Sequence, residues 1–184
     1  MLKKYGLALS EISNHVESLA KTVNPAEVEA LITAVLSAKR VFVYGAGRSG
    51  YVARAFAQRL MQIGIPAYFV GETSTPSAGR GDLLIAVSGS GETPSVLTML
   101  KQAEGLGIAR AMITTRPHSA AGKMAHTVLT VPGKTKLLEK TTHAPFTSLF
   151  DVATLSVLDS ITAELMERVG MADSDIQKSH ANLE

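Results

Sequence analysis

Apolar positions change their period several times along the chain. Residues 3 to 21 place Leu7, Ile12, Val16 and Leu19 near helical spacing. Asn24, Pro25 and Glu27 read as the start of a second helix reaching about Ala38, with proline at its first position and an acid in its first turn. Short continuous apolar runs then alternate with helical patterns. VFVY (41–44), PAYFV (66–70), LLIAV (83–87), RAMIT (110–114) and HTVLTV (126–131) predict strands. Residues 49–63 place Val52, Phe56, Leu60 and Ile63 on one helical face, and residues 93–105 turn Val96, Leu97, Leu100 and Ala103 inward. Residues 118–124 predict a short helix. A long, mostly apolar helix follows from about Pro145 to Val169, and Asp173 stands where it can cap a last short helix ending in SHANLE. The segment 132–144, PGKTKLLEKTTHA, is the most loop-like stretch and is expected to be mobile.

Strands alternating with helices predict an α/β fold, a mostly parallel five-stranded sheet flanked by helices in an α/β/α sandwich. The run LLIAV has the continuous apolar character of a central parallel strand. No solenoid repeat, low-complexity tract or interdomain linker interrupts the pattern, so residues 1–184 are expected to form a single domain. A chain of this length can close a full core.

Composition narrows the function classes. The hydrophobic fraction is 46% and the charged fraction 18%, which is globular material rather than disordered. The net charge is only +2 and no Lys/Arg block stands out, so nothing points to nucleic acid. Cysteine is absent, which removes disulfides, thiolate metal sites and cysteine nucleophiles. No run is long enough to span a bilayer and no signal-peptide pattern opens the chain, so the expected location is the cytoplasm, without membrane contact.

Two strands run into small, glycine-rich turns: VFVYGAGRSG (41–50) and VSGSGETP (87–94). In an open parallel sheet, ligands bind beyond the carboxyl ends of the strands. The helices that follow offer unpaired N–H groups and a dipole that favours an anion. Ser88, Ser90 and Thr93 add neutral donors, and Ser49 adds another from the first turn, so a phosphate can be held with no lysine. Serine and threonine are also ordinary helix caps, and glycine is ordinary in such turns. A rival reading uses Gly45, Gly47 and Gly50 as the GxGxxG of a dinucleotide site, with Glu72 as its ribose acid. That reading leaves VSGSGETP without a role.

GAGRSG (45–50) with SGSGET (88–93) resembles the sugar isomerase (SIS) domain family, which binds phosphorylated sugars. Together with RLMQIG (59–64), VGET (70–73), SLFD (148–151), the long helix and the terminal HANLE (180–184), nearly the whole chain is similar to the 6-phospho-3-hexuloisomerase family within it. The resemblance implies interconversion of D-arabino-hex-3-ulose 6-phosphate and D-fructose 6-phosphate, as in the ribulose monophosphate route of formaldehyde fixation or its reverse. It implies no metal and no organic cofactor, and a homotetramer with active sites completed across subunits. Carried onto this chain, Ser49, Ser88, Gly89, Ser90, Gly91, Glu92 and Thr93 contact the sugar phosphate. The base is Asp151, where the family has glutamate, a carboxylate one methylene longer. The resemblance also implies that His180, in HANLE, reaches a neighbouring subunit's site and assists ring opening or proton transfer.

The chemistry is consistent with those residue types. Moving a carbonyl between C2 and C3 needs a base that takes a proton from the adjacent carbon and returns one to the other. A carboxylate serves if burial tunes it toward neutrality. Asp151 lies between Phe150 and Val152, so an apolar setting is expected, although a paired or partly exposed helix carboxylate reads equally well from the residues alone. Arg48 is either a donor for the developing oxyanion or a salt-bridged surface arginine. Glu92 is expected in a first helical turn, facing either the ligand or away from it. His15, His118, His126 and His143 have no metal-pair spacing and read as structural or exposed, and Lys134, Lys136 and Lys140 as solvated. The apolar helix 145–169, with residues 3–21, predicts burial between subunits. A sugar-phosphate sensor without turnover is the alternative from another class.

Overall fold

The computed structural model describes residues 2–135 and 141–178. A helical pair, α1 (Lys3–Thr22) and α2 (Pro25–Ser37), precedes the first strand. Asn24 caps α2 by accepting the Ala26 amide at 2.9 Å, and Pro25 sits at the first helical position as the sequence predicts. Glu27, in the first turn, has a second task. Its carboxylate accepts the Thr130 amide at 2.6 Å and so ties α2 to the edge of the sheet.

The strands are β1 (Val41–Gly45), β2 (Ala67–Phe69), β3 (Leu83–Val87), β4 (Ala109–Thr114) and β5 (Thr127–Thr130). They form one sheet in the order β2-β1-β3-β4-β5 with every pairing parallel. Both faces are covered. Val41, Val43, Leu83, Ile85, Ala111 and Ile113 face one core, packed by α3 (Arg48–Gln62) and α6 (Ser148–Val169). The alternate residues Phe42, Leu84, Ala86 and Met112 face the other, packed by α4 (Pro94–Gly105) and α5 (Ala120–Met124). That is the expected α/β/α sandwich, and all five residues of LLIAV are buried.

The order fixes where a ligand can bind. From β1 the chain leads outward to β2, and from β3 it leads the opposite way to β4. The helices α3 and α4 therefore lie on opposite faces, and a crevice opens between the carboxyl ends of β1 and β3.

Three departures from the sequence pattern matter. The helix expected from Pro145 begins at Ser148, because Phe146 takes a left-handed φ of 34° and breaks the first turn. Part of the segment expected to be mobile is held: Thr142, His143 and Ala144 all donate to the carboxylate of Glu11 on α1. Leu97, expected inward, is only half-buried. A short helix α7 (Asp173–Lys178) follows α6, and the expectation for His180 lies outside the described residues. No helix among the described residues is long and apolar enough to cross a membrane.

Candidate active site

The crevice holds a cavity of about 290 Å³. The β1–α3 turn supplies Ala46, Gly47, Arg48 and Ser49. Gly47 takes φ 58° and ψ −131°, a conformation that side chains exclude, and this turns the chain sharply into α3. The β3–α4 loop supplies Ser88, Gly89, Ser90 and Thr93. A third wall comes from Thr135, Phe146, Thr147 and Phe150. Neither α3 nor α4 has a side-chain cap at its N-terminus, so the leading amides and dipoles of both helices remain available at the crevice. Arg48 is the one charged residue among the described lining.

The β3–α4 loop is tightly organised. The Ser88 and Thr93 hydroxyls lie 2.8 Å apart, and Ser88 Oγ also accepts the Gly91 amide at 3.2 Å. Gly91 has φ 65° and stands so close to Ser119 that any side chain would collide. Its carbonyl accepts the Ala121 amide at 3.0 Å. Glu92 stands just ahead of the helical turn expected for it and, of the two orientations its sequence leaves open, takes the one away from the ligand. It precedes α4, which starts at Pro94, and its Oε1 accepts the Ala120 amide at 3.1 Å. Its carboxylate thus serves the N-terminus of α5, away from the cavity, where repulsion of a bound anion is least. The loop is anchored through Gly91 and Glu92 and presents Ser88, Gly89, Ser90 and Thr93 to the crevice.

Asp151 sits in the first turn of α6, next to Phe150, a fully buried side chain contributing roughly 1.5–3 kcal/mol. Asp151 is 3% exposed. Of the two settings left open by its neighbours, the carboxylate takes the paired one. Arg48 Nε donates to Oδ2 at 2.8 Å, Thr147 Oγ1 donates to the same oxygen at 2.8 Å, and Ser49 Oγ donates to Oδ1 at 3.3 Å. All three donors line the cavity while Asp151 stands behind them. Of the residues singled out from the sequence, Ser49, Ser88, Gly89, Ser90 and Thr93 therefore share one cavity, Asp151 joins them through its donors, and Gly91 and Glu92 support the loop.

Phe150 lies in the SLFD segment singled out from the sequence, whereas Thr135, Phe146 and Thr147 line the cavity without any signal in the sequence, apart from the helical spacing of Thr147 and Asp151. The rival acid Glu72 is engaged elsewhere: Arg54 donates to it at 3.3 Å, and it does not line the cavity. His15 Nε2 donates to the Pro132 carbonyl at 3.1 Å and His126 Nδ1 accepts the Arg110 amide at 3.1 Å, both structural roles. Among the described residues no three His, Asp or Glu side chains gather as metal ligands do.

Comparison with known proteins bears on the same region. The sequence profile of the SIS domain matches residues 35–163. The chain is 38% identical over 179 residues to the 3-hexulose-6-phosphate isomerase of Methanocaldococcus jannaschii, covering 95% of this chain and 96% of that one. It is 37% identical over 179 residues to the 3-hexulose-6-phosphate isomerase of Bacillus subtilis, covering 96% and 97%. It superposes on the crystal structure of a hypothetical protein with a TM-score of 0.93 at 36% identity, covering 98% of each chain.

Proposed function

Because the chain belongs to the SIS domain family, we propose that it interconverts D-arabino-hex-3-ulose 6-phosphate and D-fructose 6-phosphate through an enediol. The observation that carries this reading is the juxtaposition at one crevice of a hydroxyl-rich, uncapped anion cradle and a buried carboxylate. The full-length similarity to two 3-hexulose-6-phosphate isomerases supports the choice of substrate.

In the proposed reaction the phosphate lies against Ser88, Ser90, Thr93 and the N-terminus of α4, with Gly89 allowing close approach. Asp151 removes the proton on C3 of fructose 6-phosphate, and the electrons form the C2–C3 double bond as the carbonyl oxygen becomes an enediolate. The same proton, or one exchanged from solvent, is delivered to C2 while the O3 proton passes to the O2 side. The sugar carries both the oxidation and the reduction, so electrons balance within it. Arg48 has a side chain 63% exposed, free to swing from Asp151 toward substrate. An anionic substrate oxygen competes for the guanidinium and frees Oδ2 to act as base, and Arg48 then stabilises the enediolate. His180 is retained in the proposal as an assistant from a neighbouring subunit.

Homo-oligomerisation, as a tetramer with shared sites, belongs to the same proposal. A groove of about 560 Å³ between α1, α2 and α6 is lined by Val16, Leu19, Val28, Ile32 and Ile161, and α1 exposes Tyr5, Leu7 and Leu9. A cytoplasmic location accords with a phosphorylated substrate, whose charge keeps it from crossing a bilayer.

Carbon-13 NMR of the protein with fructose 6-phosphate tests the function. Signals of the 3-ketose growing in without added cofactor support it. One observation favours a sensor instead: the carboxylate is already satisfied by three donors behind the cavity wall. A protein that binds fructose 6-phosphate tightly and produces no 3-ketose is that sensor.

A further inference from the structure

Two buried side-chain hydroxyls among the described residues, Thr135 Oγ1 and Thr154 Oγ1, have no hydrogen-bond partner. Buried hydroxyls are normally paired, and an unpaired one asks for an explanation. Thr154 lies within α6, outside the lining of the crevice. Thr135 lines the crevice and is 4% exposed.

The chain braces Thr135 there from two sides. It arrives from β5 through Gly133, which packs so closely on α6 that an added Cβ would lie 2.5 Å from Phe150 Cα. The methyl of Thr135 covers Gly89, where an added Cβ would lie 2.8 Å from Thr135 Cγ2. This packing fixes a hydroxyl-bearing residue in the wall of the cavity. Packing alone would be served as well by valine, which has the same shape without the polar atom. The hydroxyl needs a separate reason.

We propose that Thr135 is a substrate-binding residue whose hydroxyl hydrogen-bonds an oxygen of the sugar phosphate in the crevice, completing on the third wall the set of neutral donors begun by Ser49, Ser88, Ser90 and Thr93. The proposal rests on the sugar-phosphate reading above. Threonine suits the position because its hydroxyl donates to a phosphate oxygen and either donates to or accepts from a sugar hydroxyl.

The test compares wild type, Thr135→Val and Thr135→Ser. Valine keeps the methyl contact on Gly89 and deletes an unpaired buried hydroxyl, so the unliganded Thr135→Val protein should melt at or above the wild-type temperature. The same variant should bind fructose 6-phosphate about tenfold more weakly and show a KM raised by a similar factor, the scale of one buried hydrogen bond. Thr135→Ser should stay within about threefold of wild type. Titration with inorganic phosphate then assigns the contact. Phosphate binding weakened in parallel places the hydroxyl on the phosphate, and phosphate binding unchanged places it on the sugar; both support the proposal. Unaltered fructose 6-phosphate binding by Thr135→Val overturns it, and a lowered melting temperature with unaltered binding assigns the hydroxyl to folding. If wild type itself neither binds nor converts fructose 6-phosphate, the sugar-phosphate reading fails and this proposal with it, a failure told apart by appearing in wild type.

Discussion

Replacing Gly91 by alanine, set beside the same change at Gly170, separates the two things that the β3–α4 loop demands of glycine. The backbone conformations are nearly the same, φ 65° at Gly91 and φ 70° at Gly170. Forcing an L-residue into this region costs about 1–2 kcal/mol, partly offset by about 0.4–1 kcal/mol from the stiffer unfolded chain. At Gly170 nothing lies within 4 Å of an added Cβ, so the whole effect there is conformational, about 1 kcal/mol. At Gly91 the added methyl meets the Ser119 side chain, with Ser119 Cβ at 2.5 Å. Ser119 is 3% exposed and its Oγ caps α5 by accepting the Gly122 amide at 3.2 Å, so it cannot move aside freely. Overpacking adds about 1–3 kcal/mol, and losing the cap about 0.5–2 kcal/mol. Gly91→Ala should therefore cost about 2.5–6 kcal/mol, a large share of the 5–15 kcal/mol typical of a domain. Urea unfolding of both variants measures the difference. Equal midpoints for Gly91→Ala and Gly170→Ala would refute the claim that α5 clamps the loop through Ser119.

Other expectations follow from the ion pairs and caps. Arg40 Nη2 donates to Asp82 at 2.7 Å, and this bond, helped by the Gly79 amide, holds the Asp82 carboxyl below the usual carboxylate range. Its folded pKa being lowered, the stabilisation is complete above its unfolded value near 3.9 and disappears as pH falls toward the folded value, so Asp82→Asn should remove part of the acid limb of a melting-temperature profile. Glu11 is likewise held low, chiefly by the Thr142 hydroxyl and then by the Ala144 and His143 amides; Glu11→Gln should speed hydrogen exchange at residues 143 and 144 several-fold, since a charge-assisted bond becomes a neutral one. Arg48→Met removes the charged donor to Asp151 and should lower kcat/KM for fructose 6-phosphate about 10- to 100-fold, the worth of a hydrogen bond between charged groups.

The architecture was readable because its signals are local. The buried run LLIAV, the Asn24–Pro25 helix start and the two glycine-rich turns each act within a few residues. From these the parallel sheet and the position of the crevice follow. The site was only partly readable because its decisive contacts are long-range. Glu92 looks like a first-turn acid of α4, yet its partner is the Ala120 amide 28 residues later. For Asp151 the sequence leaves an apolar and a paired setting equally open, and Arg48 and Ser49, more than a hundred residues earlier, decide for the paired one. Thr135 carries no periodicity, Thr147 only its helical spacing to Asp151, and both enter the cavity because Gly133 and Phe146 steer the chain there. The start of α6 was misplaced for the same reason, since the left-handed turn at Phe146 leaves no sequence mark.

If Asp151 is the base of an enediol isomerisation in this crevice, deuterium exchange at C3 of fructose 6-phosphate in heavy water depends on it, as proton NMR with wild type and Asp151→Asn side by side will show. Asparagine preserves the size of the side chain and can still accept from Arg48 and Thr147, so the fold and sugar-phosphate binding should persist. Wild type should exchange at C3, and Asp151→Asn at a rate lower by about 10²- to 10⁴-fold with binding retained. Exchange at the wild-type rate by Asp151→Asn would contradict that role of Asp151 and assign the proton transfer to another group.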